Sequence, residues 1–212
     1  MVFYFKSCPN NSKQEYNLYS GEDKFENDEL IKYSWPNDVW FHVDNLSSAH
    51  VYYRGDGEID PETLPPELIE DCAQLTKFNS IQGNKTPSVN IIYTLASNLH
   101  KTNNMEPGEV NFKNRSKVYK INVSARNNGI CRRLSKTKIV GSVDDFKKQH
   151  HENLIKIKQD RIRINMEETK KNEILRKERE IEKEKYSYNN LHRTENMTSN
   201  KDVEEYDSDD FI

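Results

Sequence analysis

The feature that most limits how this chain can fold is a stretch of 43 residues, from Asp144 to Tyr186, that contains neither proline nor glycine. More than half of these residues are charged, and acids recur beside bases at helical spacings. Such a pattern predicts one long, exposed helix that is stabilised by pairs of opposite charge rather than by a core. The hydrophobic core must therefore come mainly from the residues before it, which suffice for one modest domain.

Composition divides the chain into three parts. We expect a compact domain at 1–140, the charged helix at 141–187 and a disordered acidic tail at 188–212, in which Ser208 and the two aspartates after it form a weak motif for an acid-directed kinase. Apolar residues of the helix fit a heptad only loosely: Leu154, Ile157, Ile164 and Leu175. The sequence therefore leaves open a solitary helix and one that pairs with a protein partner or with a second copy of itself.

Hydrophobic periodicity predicts a mixed domain. Apolar runs and alternation indicate β-strands at 1–5, 16–19, 38–44, 89–94, 109–112 and 117–123. A short helix is expected at 27–34. The main amphipathic helix is expected at 61–79, with one apolar face formed by Leu64, Leu68, Cys72 and Leu75. The predicted class is α+β, with antiparallel strands packed on one main helix.

Several functional classes are disfavoured. The longest apolar windows reach about seven residues, far below the ~20 that cross a bilayer, and no signal-peptide pattern opens the chain, so we expect a protein of the cytoplasm or nucleus. The three cysteines form no CxxC pair, which argues against a disulfide framework and a zinc knuckle. Asp38, His42 and Asp44 imitate a metal or acid–base cluster, but no nucleophile motif or phosphate loop accompanies them. We expect no enzyme activity, cofactor or metal.

The segment from Asp38 to Asp44 carries the most specific pattern in the sequence. Alternation along a strand groups three apolar residues on one face and places Trp40 and His42 between carboxylates on the other. The next segment repeats the pattern with His50, Tyr52 and Arg54. Two arrangements remain open: an exposed aromatic and cationic patch that stacks RNA bases, or a central strand that is covered on both faces.

Charge is strongly segregated along the chain despite a formal net charge of -3. Residues 1–112 hold 8 Lys+Arg against 17 Asp+Glu, whereas residues 113–143 hold 9 Lys+Arg and no acid. An acid-free basic segment is typical of a phosphate-binding surface, although a solvated basic edge between a domain and a helix is the alternative.

The residues from Trp35 to Arg54 resemble the NFACT-R domain, the RNA-binding module of ribosome quality-control factors. The family's Asp-x-Trp-x-His signature matches Asp38, Trp40 and His42, and its second block matches 89–94, Lys101 and the Pro-Gly-x-Val of 107–110. The resemblance implies binding of RNA, either tRNA or ribosomal RNA. It does not imply the tail synthesis of the larger factors, whose other domains we do not find in this chain.

Together these patterns predict a non-catalytic nucleic-acid-binding protein that contacts RNA, with DNA as an open alternative. A coiled-coil adaptor whose domain is only a scaffold is the competing hypothesis. The predicted contacts are Asp38, Trp40, His42, His50, Tyr52, Arg54, Lys101, Lys113, Arg115, Lys117, Lys120, Arg126, Arg132, Arg133, Lys136 and Lys138.

Overall fold

The computed structural model describes residues 1–9, 14–187 and 195. The tail expected at 188–212, including Ser208, therefore lies outside the described residues, residue 195 apart.

A seven-stranded antiparallel sheet organises the domain. Its strands are β1 (Val2–Ser7), β2 (Tyr16–Gly21), β3 (Val39–Val43), β4 (Val51–Arg54), β5 (Val89–Leu95), β8 (Tyr119–Val123) and β9 (Ile139–Gly141). They are arranged in the order β8-β5-β3-β4-β2-β1-β9. Two short strands, β6 (Leu99–His100) and β7 (Asn111–Phe112), pair separately as a small second sheet. The mixed α+β class is confirmed, and the first two strands pair with each other as an antiparallel hairpin.

One face of the sheet, here the first face, packs against α2 (Pro66–Phe78) and α3 (Asn128–Lys136). The apolar side chains of β3 point to this face, as the alternation predicted, and contact the apolar side of α2. Leu68, Cys72 and Leu75 are buried there, which confirms α2 as the main core helix. A break at Pro65 separates α2 from a short 3-10 turn at Pro61–Thr63, so the stretch predicted as one helix is two elements.

The opposite face, here the second face, is covered by α1 (Lys24–Tyr33), by β6 and β7, and by the first turn of α4 (Val143–Lys185). Helix α1 begins three residues earlier than predicted, because the Asp23 carboxylate accepts hydrogen bonds from the free amides of Phe25 and Glu26. The cover brings Leu30, Leu99 and Phe146 onto the sheet.

Among the described helices and strands, α3, β6 and β9 were not predicted. Helix α3 begins at its Asn127 cap, whose side chain accepts from the amides of Gly129 and Ile130. Its buried anchors, Cys131 and Leu134, are separated by basic residues that hide the helical periodicity. The acid-free segment is therefore not a simple connector, because it supplies one covering helix and the last strand of the sheet.

The first compact unit runs from Met1 to Leu154, beyond the expected boundary at 140, and it includes the start of α4 because Phe146 is fully buried. The second unit begins at Ile155, and its described residues continue α4 to Lys185 with exposed apolar side chains. Within the described ranges, no helix combines the length and the apolar character that crossing a membrane requires.

Candidate nucleic-acid interface

The side chains that the sequence grouped around Trp40 do share the second face of the sheet. Trp40 lies opposite Tyr52 in the β3–β4 register, and its ring stacks on His42 at 5.3 Å between centroids, with an interplanar angle of 6°. Most of the group is nevertheless almost fully buried: Asp38 at 1% exposure, Trp40 at 1%, His50 at 1% and Tyr52 at 0%. Of the two arrangements left open by the sequence, the covered central strand is correct and the exposed patch is wrong.

The cover comes from elements far away along the chain. Phe112 of β7 packs edge-on against Trp40 at 5.8 Å, and Tyr19 of β2 stacks on Tyr52 at 4.7 Å. Phe146 of α4 then lies 5.1 Å from Tyr19. A base cannot stack on Trp40 or Tyr52 while these rings are in place.

Arg54 is also committed inside the protein. Its Nη2 donates to Asp38 Oδ2 at 2.8 Å, and its guanidinium lies 4.0 Å above the Trp35 ring. Asp38 accepts two further hydrogen bonds, from the Tyr19 hydroxyl at 2.6 Å and from the Trp35 amide at 2.8 Å. Asp38 and Arg54 thus form a buried, fully hydrogen-bonded ion pair that joins β2, β4 and the loop before β3, and neither residue presents its charge to a phosphate.

Lys101 has a similar structural role. Its ammonium group contacts Asp28 of α1 at 3.0 Å and donates to the carbonyls of Glu106 and Glu109 at 2.7 and 3.0 Å. In the same loop Gly108 has φ 82° and donates its amide to Asp28. The second block of the family resemblance therefore fixes a loop against α1, and glycine is required at 108 for its left-handed backbone.

Both histidines of the group are neutral at physiological pH. Burial lowers the pKa of His42 to about 4 and lowers the pKa of His50 well below its usual value. The Asp44 carboxylate raises the pKa of His42 and so opposes part of the effect of burial. His42 and Lys101 lower the pKa of His50 further. His42 therefore offers an uncharged ring and hydrogen-bonding nitrogens, not a positive charge for phosphate.

These shifts predict a loss of stability in mild acid. In the unfolded chain a histidine takes up a proton near pH 6.5, whereas in the folded protein His42 does so only near pH 4, so unfolding is favoured as pH falls between these values. We expect the free energy of unfolding to fall by about 1.4 kcal/mol per pH unit for each such histidine.

Urea denaturation between pH 7 and 5 measures this slope. His42→Asn should remove one histidine's share of it, and His151→Asn, at an exposed position of α4, is the matched control that should leave it unchanged. An unchanged slope in the His42 variant would contradict the assignment.

The nine basic residues of segment 113–143 do not form one continuous track. One group lies just before or within β8, at one edge of the sheet: Lys113, Arg115, Lys117 and Lys120. The other group lies on or next to α3, which covers the first face and leads to β9 at the opposite edge: Arg126, Arg132, Arg133, Lys136 and Lys138. The acid-free basic segment that the sequence predicts as a phosphate-binding surface is therefore divided into two separate groups.

Several of these cations already have partners. Arg133 pairs with the buried Asp71 at 2.7 Å, Lys120 pairs with Asp44 at 2.6 Å, and Lys138 lies 3.4 Å above the Phe3 ring. Arg126 donates to the Asn84 side chain and packs on Phe78, and Lys113 donates to the Ser97 carbonyl. Of the nine cations, four are exposed and their side chains have no hydrogen bond, ion pair or ring contact with any described residue: Arg115, Lys117, Arg132 and Lys136.

An accessible polar surface remains on the second face, where its cover ends. Register places His42 of β3, Ile92 of β5 and Lys120 of β8 side by side in one row across three strands. The adjacent row is formed by Asp44, the residue that follows β3, and by the exposed Asn90 and Asn122. Asn122 donates to the Asn90 side chain at 2.8 Å. We call this surface the sheet platform; its six residues are His42, Asp44, Asn90, Ile92, Lys120 and Asn122.

Only part of the sheet platform was found from the sequence. His42 and Lys120 were predicted contacts, but in different groups, and the structure brings them together. Asn90, Ile92 and Asn122 were missed. The alternation of residues along β5 and β8 already places these side chains on one face of each strand. It identifies a shared surface only when the pairing of β5 with β3 and β8 is known.

Comparison with known proteins agrees with this architecture. Residues 1–114 match the family described as NFACT protein RNA binding domain, so the chain belongs to that family. It is 42% identical to "Coiled-coil domain-containing protein 25" of Bos taurus over the full length of both proteins. It is also 45% identical to "Protein JLP2" of Saccharomyces cerevisiae over 142 residues, which cover 66% of this chain and 68% of that protein.

A solved structure also shares the fold. The C-terminal part of the fibronectin/fibrinogen-binding protein from Streptococcus suis superposes with a TM-score of 0.50 at 22% identity. The match covers 64% of this chain and about half, 49%, of the solved one. At this level of identity the similarity concerns the architecture alone.

Proposed function

We propose that this protein binds RNA through the sheet platform and the basic residues that lead into β8. The observation that carries the proposal is the row of His42, Ile92 and Lys120 across three paired strands, in which His42 and Ile92 are half-buried and Lys120 is exposed, beside the two exposed asparagines. Membership of an RNA-binding domain family supports the same ligand class. The RNA that the resemblance implies is tRNA or ribosomal RNA, which would place the protein with ribosomes in the cytoplasm.

The chemistry of the platform suits an unpaired RNA segment. The neutral ring of His42, held parallel to Trp40, and the apolar surface of Ile92 are suited to contact bases, and neighbouring strands are about 4.8 Å apart. Asn90 and Asn122 retain amide groups for base edges or the ribose 2′-hydroxyl, which distinguishes RNA from DNA. Asp44 fixes the Lys120 ammonium, while Arg115 and Lys117 add exposed positive charge just before β8.

Two double variants with the same change in charge test the proposal. Arg115→Glu/Lys117→Glu alters the group before β8, and Arg132→Glu/Lys136→Glu alters exposed positions of α3 by the same four units. We expect the first variant to weaken binding of a fluorescent tRNA at least about tenfold at low salt, and to reduce the salt slope by roughly 1.4 if two phosphate contacts to an unpaired segment are lost. The second should change affinity far less.

Fluorescence anisotropy at two salt concentrations gives both quantities. Asn90→Asp/Asn122→Asp should weaken binding as well, because two carboxylates would then face the RNA on the platform. Equal losses in the two charge variants would indicate nonspecific attraction and contradict a platform on the second face. A DNA strand of the same sequence, used as competitor, reports whether the ribose hydroxyl matters.

The competing function is a protein-interaction adaptor that acts through α4. It is favoured by the exposure of the apolar side chains on the described part of the second unit: Ile155, Ile157, Ile162, Ile164, Met166, Ile174, Leu175 and Ile181. Absence of tRNA binding even at low salt would contradict the RNA proposal and favour this alternative.

A further inference from the structure

The edge of the sheet at β9 is an unusual combination of open backbone, exposed apolar side chains and basic surroundings. Strand β9 pairs with β1 on one side and ends the sheet, so its outer backbone groups have no strand partner among the described residues. Ile139 and Val140 are 61% and 56% exposed. Natural sheets usually block such edges, since an open apolar edge recruits other strands.

The backbone of this edge is held in place from the inside. Tyr4 lies opposite Ile139 in the register, and its ring lies so close to Gly141 that a Cβ atom there would be 2.6 Å from Tyr4 Cε2. Thr137 exchanges hydrogen bonds with the backbone of Lys6 and continues the contact with β1 beyond β9. The edge is therefore a fixed template rather than a frayed end.

A cavity of about 270 Å³ borders this edge on the second face of the sheet, where Tyr4, Thr137 and Ile139 line it among others. Cavities of about 150 Å³ hold a molecule as large as benzene, so this one has room for one side chain.

The positive charge near β9 indicates which kind of molecule binds at this edge. Lys136 and Lys138 immediately precede β9, Arg132 lies one helical turn earlier, and no acid occurs between residues 113 and 143. A nucleic acid backbone would satisfy these cations but would leave the apolar side chains and the strand edge unused. An extended peptide satisfies all three features, because an added strand presents alternate side chains to the two faces.

We propose that the β9 edge binds a protein segment in extended conformation, with an apolar centre of about three residues flanked by acids, by adding it as an eighth strand to the sheet. This surface lies at the opposite edge of the sheet from β8 and does not depend on the proposed RNA binding.

The test uses a fluorescein-labelled peptide, Glu-Glu-Leu-Val-Leu-Glu-Glu, and the full chain, with anisotropy as the readout. We expect saturable binding that is weakened at least about tenfold by Ile139→Glu/Val140→Glu, because these variants remove apolar contact and repel the acids. Ile81→Glu is the matched control, since Ile81 is 82% exposed on a loop outside this edge and should leave affinity unchanged.

Three comparison ligands make the result decisive. A peptide N-methylated on its central residues should fail to bind, because it cannot complete the strand ladder, and a lysine-for-glutamate peptide should also fail. Hexaglutamate should bind much more weakly than the probe. Equal binding of the N-methylated peptide or of hexaglutamate, equal losses in the Ile81 and Ile139/Val140 variants, or no binding of the probe would each overturn the proposal.

Discussion

Replacing Arg54 with alanine is expected to lower the free energy of unfolding by about 3–5 kcal/mol. The change leaves the Asp38 carboxylate at 1% exposure with no cation beside it, and an unpaired buried charge is costly. It also removes the guanidinium from above the Trp35 and Tyr19 rings. Urea denaturation followed by far-UV circular dichroism measures the loss.

A matched control separates this effect from the loss of any arginine. Arg132 is exposed and its side chain makes no ion pair with a described residue, so Arg132→Ala should change stability by no more than about 0.5 kcal/mol. Arg54→Lys should lie between wild type and alanine, because it keeps the charge but loses the forked contact with Asp38. A loss below about 1 kcal/mol in Arg54→Ala would show that the pair is not a structural element of the fold.

Trp40→Ala is expected to cost about 3–5 kcal/mol, because it empties the centre of the second-face core between the His42, His50 and Phe112 rings. Trp40→Phe should cost considerably less, since it fills most of the same space and the indole N–H makes no hydrogen bond to any described residue. Thermal and urea unfolding of both variants measure the difference.

RNA affinity provides the complementary measurement for Trp40. At temperatures where the variants remain folded, Trp40→Phe should bind tRNA within about twofold of wild type, because the indole does not reach the surface. A variant with nearly normal stability and greatly weakened RNA binding would instead place Trp40 in the interface and contradict its burial.

The Asp-x-Trp-x-His signature takes on a structural meaning from these contacts. Asp38 anchors Arg54, Trp40 fills the core, and His42 connects that core to the sheet platform. Only the last of the three is placed to touch a ligand directly. The signature that resembles a binding site in the sequence is therefore mainly structural: it stabilises the sheet whose neighbouring strands, β5 and β8, carry the accessible residues.

Prediction from sequence succeeded where the information is local. The alternation along β3 assigned its apolar residues to one face, and the absence of proline and glycine after residue 143 identified α4. It failed for α3, β6 and β9, because α3 has few apolar anchors among its basic residues and the two strands have only two and three residues. Short elements of this kind are stabilised by tertiary contacts rather than by their own pattern.

By itself, the sequence determined which side chains share a face of each strand, because backbone geometry makes neighbouring side chains alternate. It did not determine which faces are covered. That depended on Phe112 and Phe146, which pack onto the second face from distant parts of the chain. The tertiary structure also decided that His42 and Lys120 lie in one row, since they meet only through the intervening strand β5. Side-chain direction is set by local backbone geometry, so the sequence predicts it. Burial and proximity are set by packing between distant parts of the chain, so only the tertiary structure decides them.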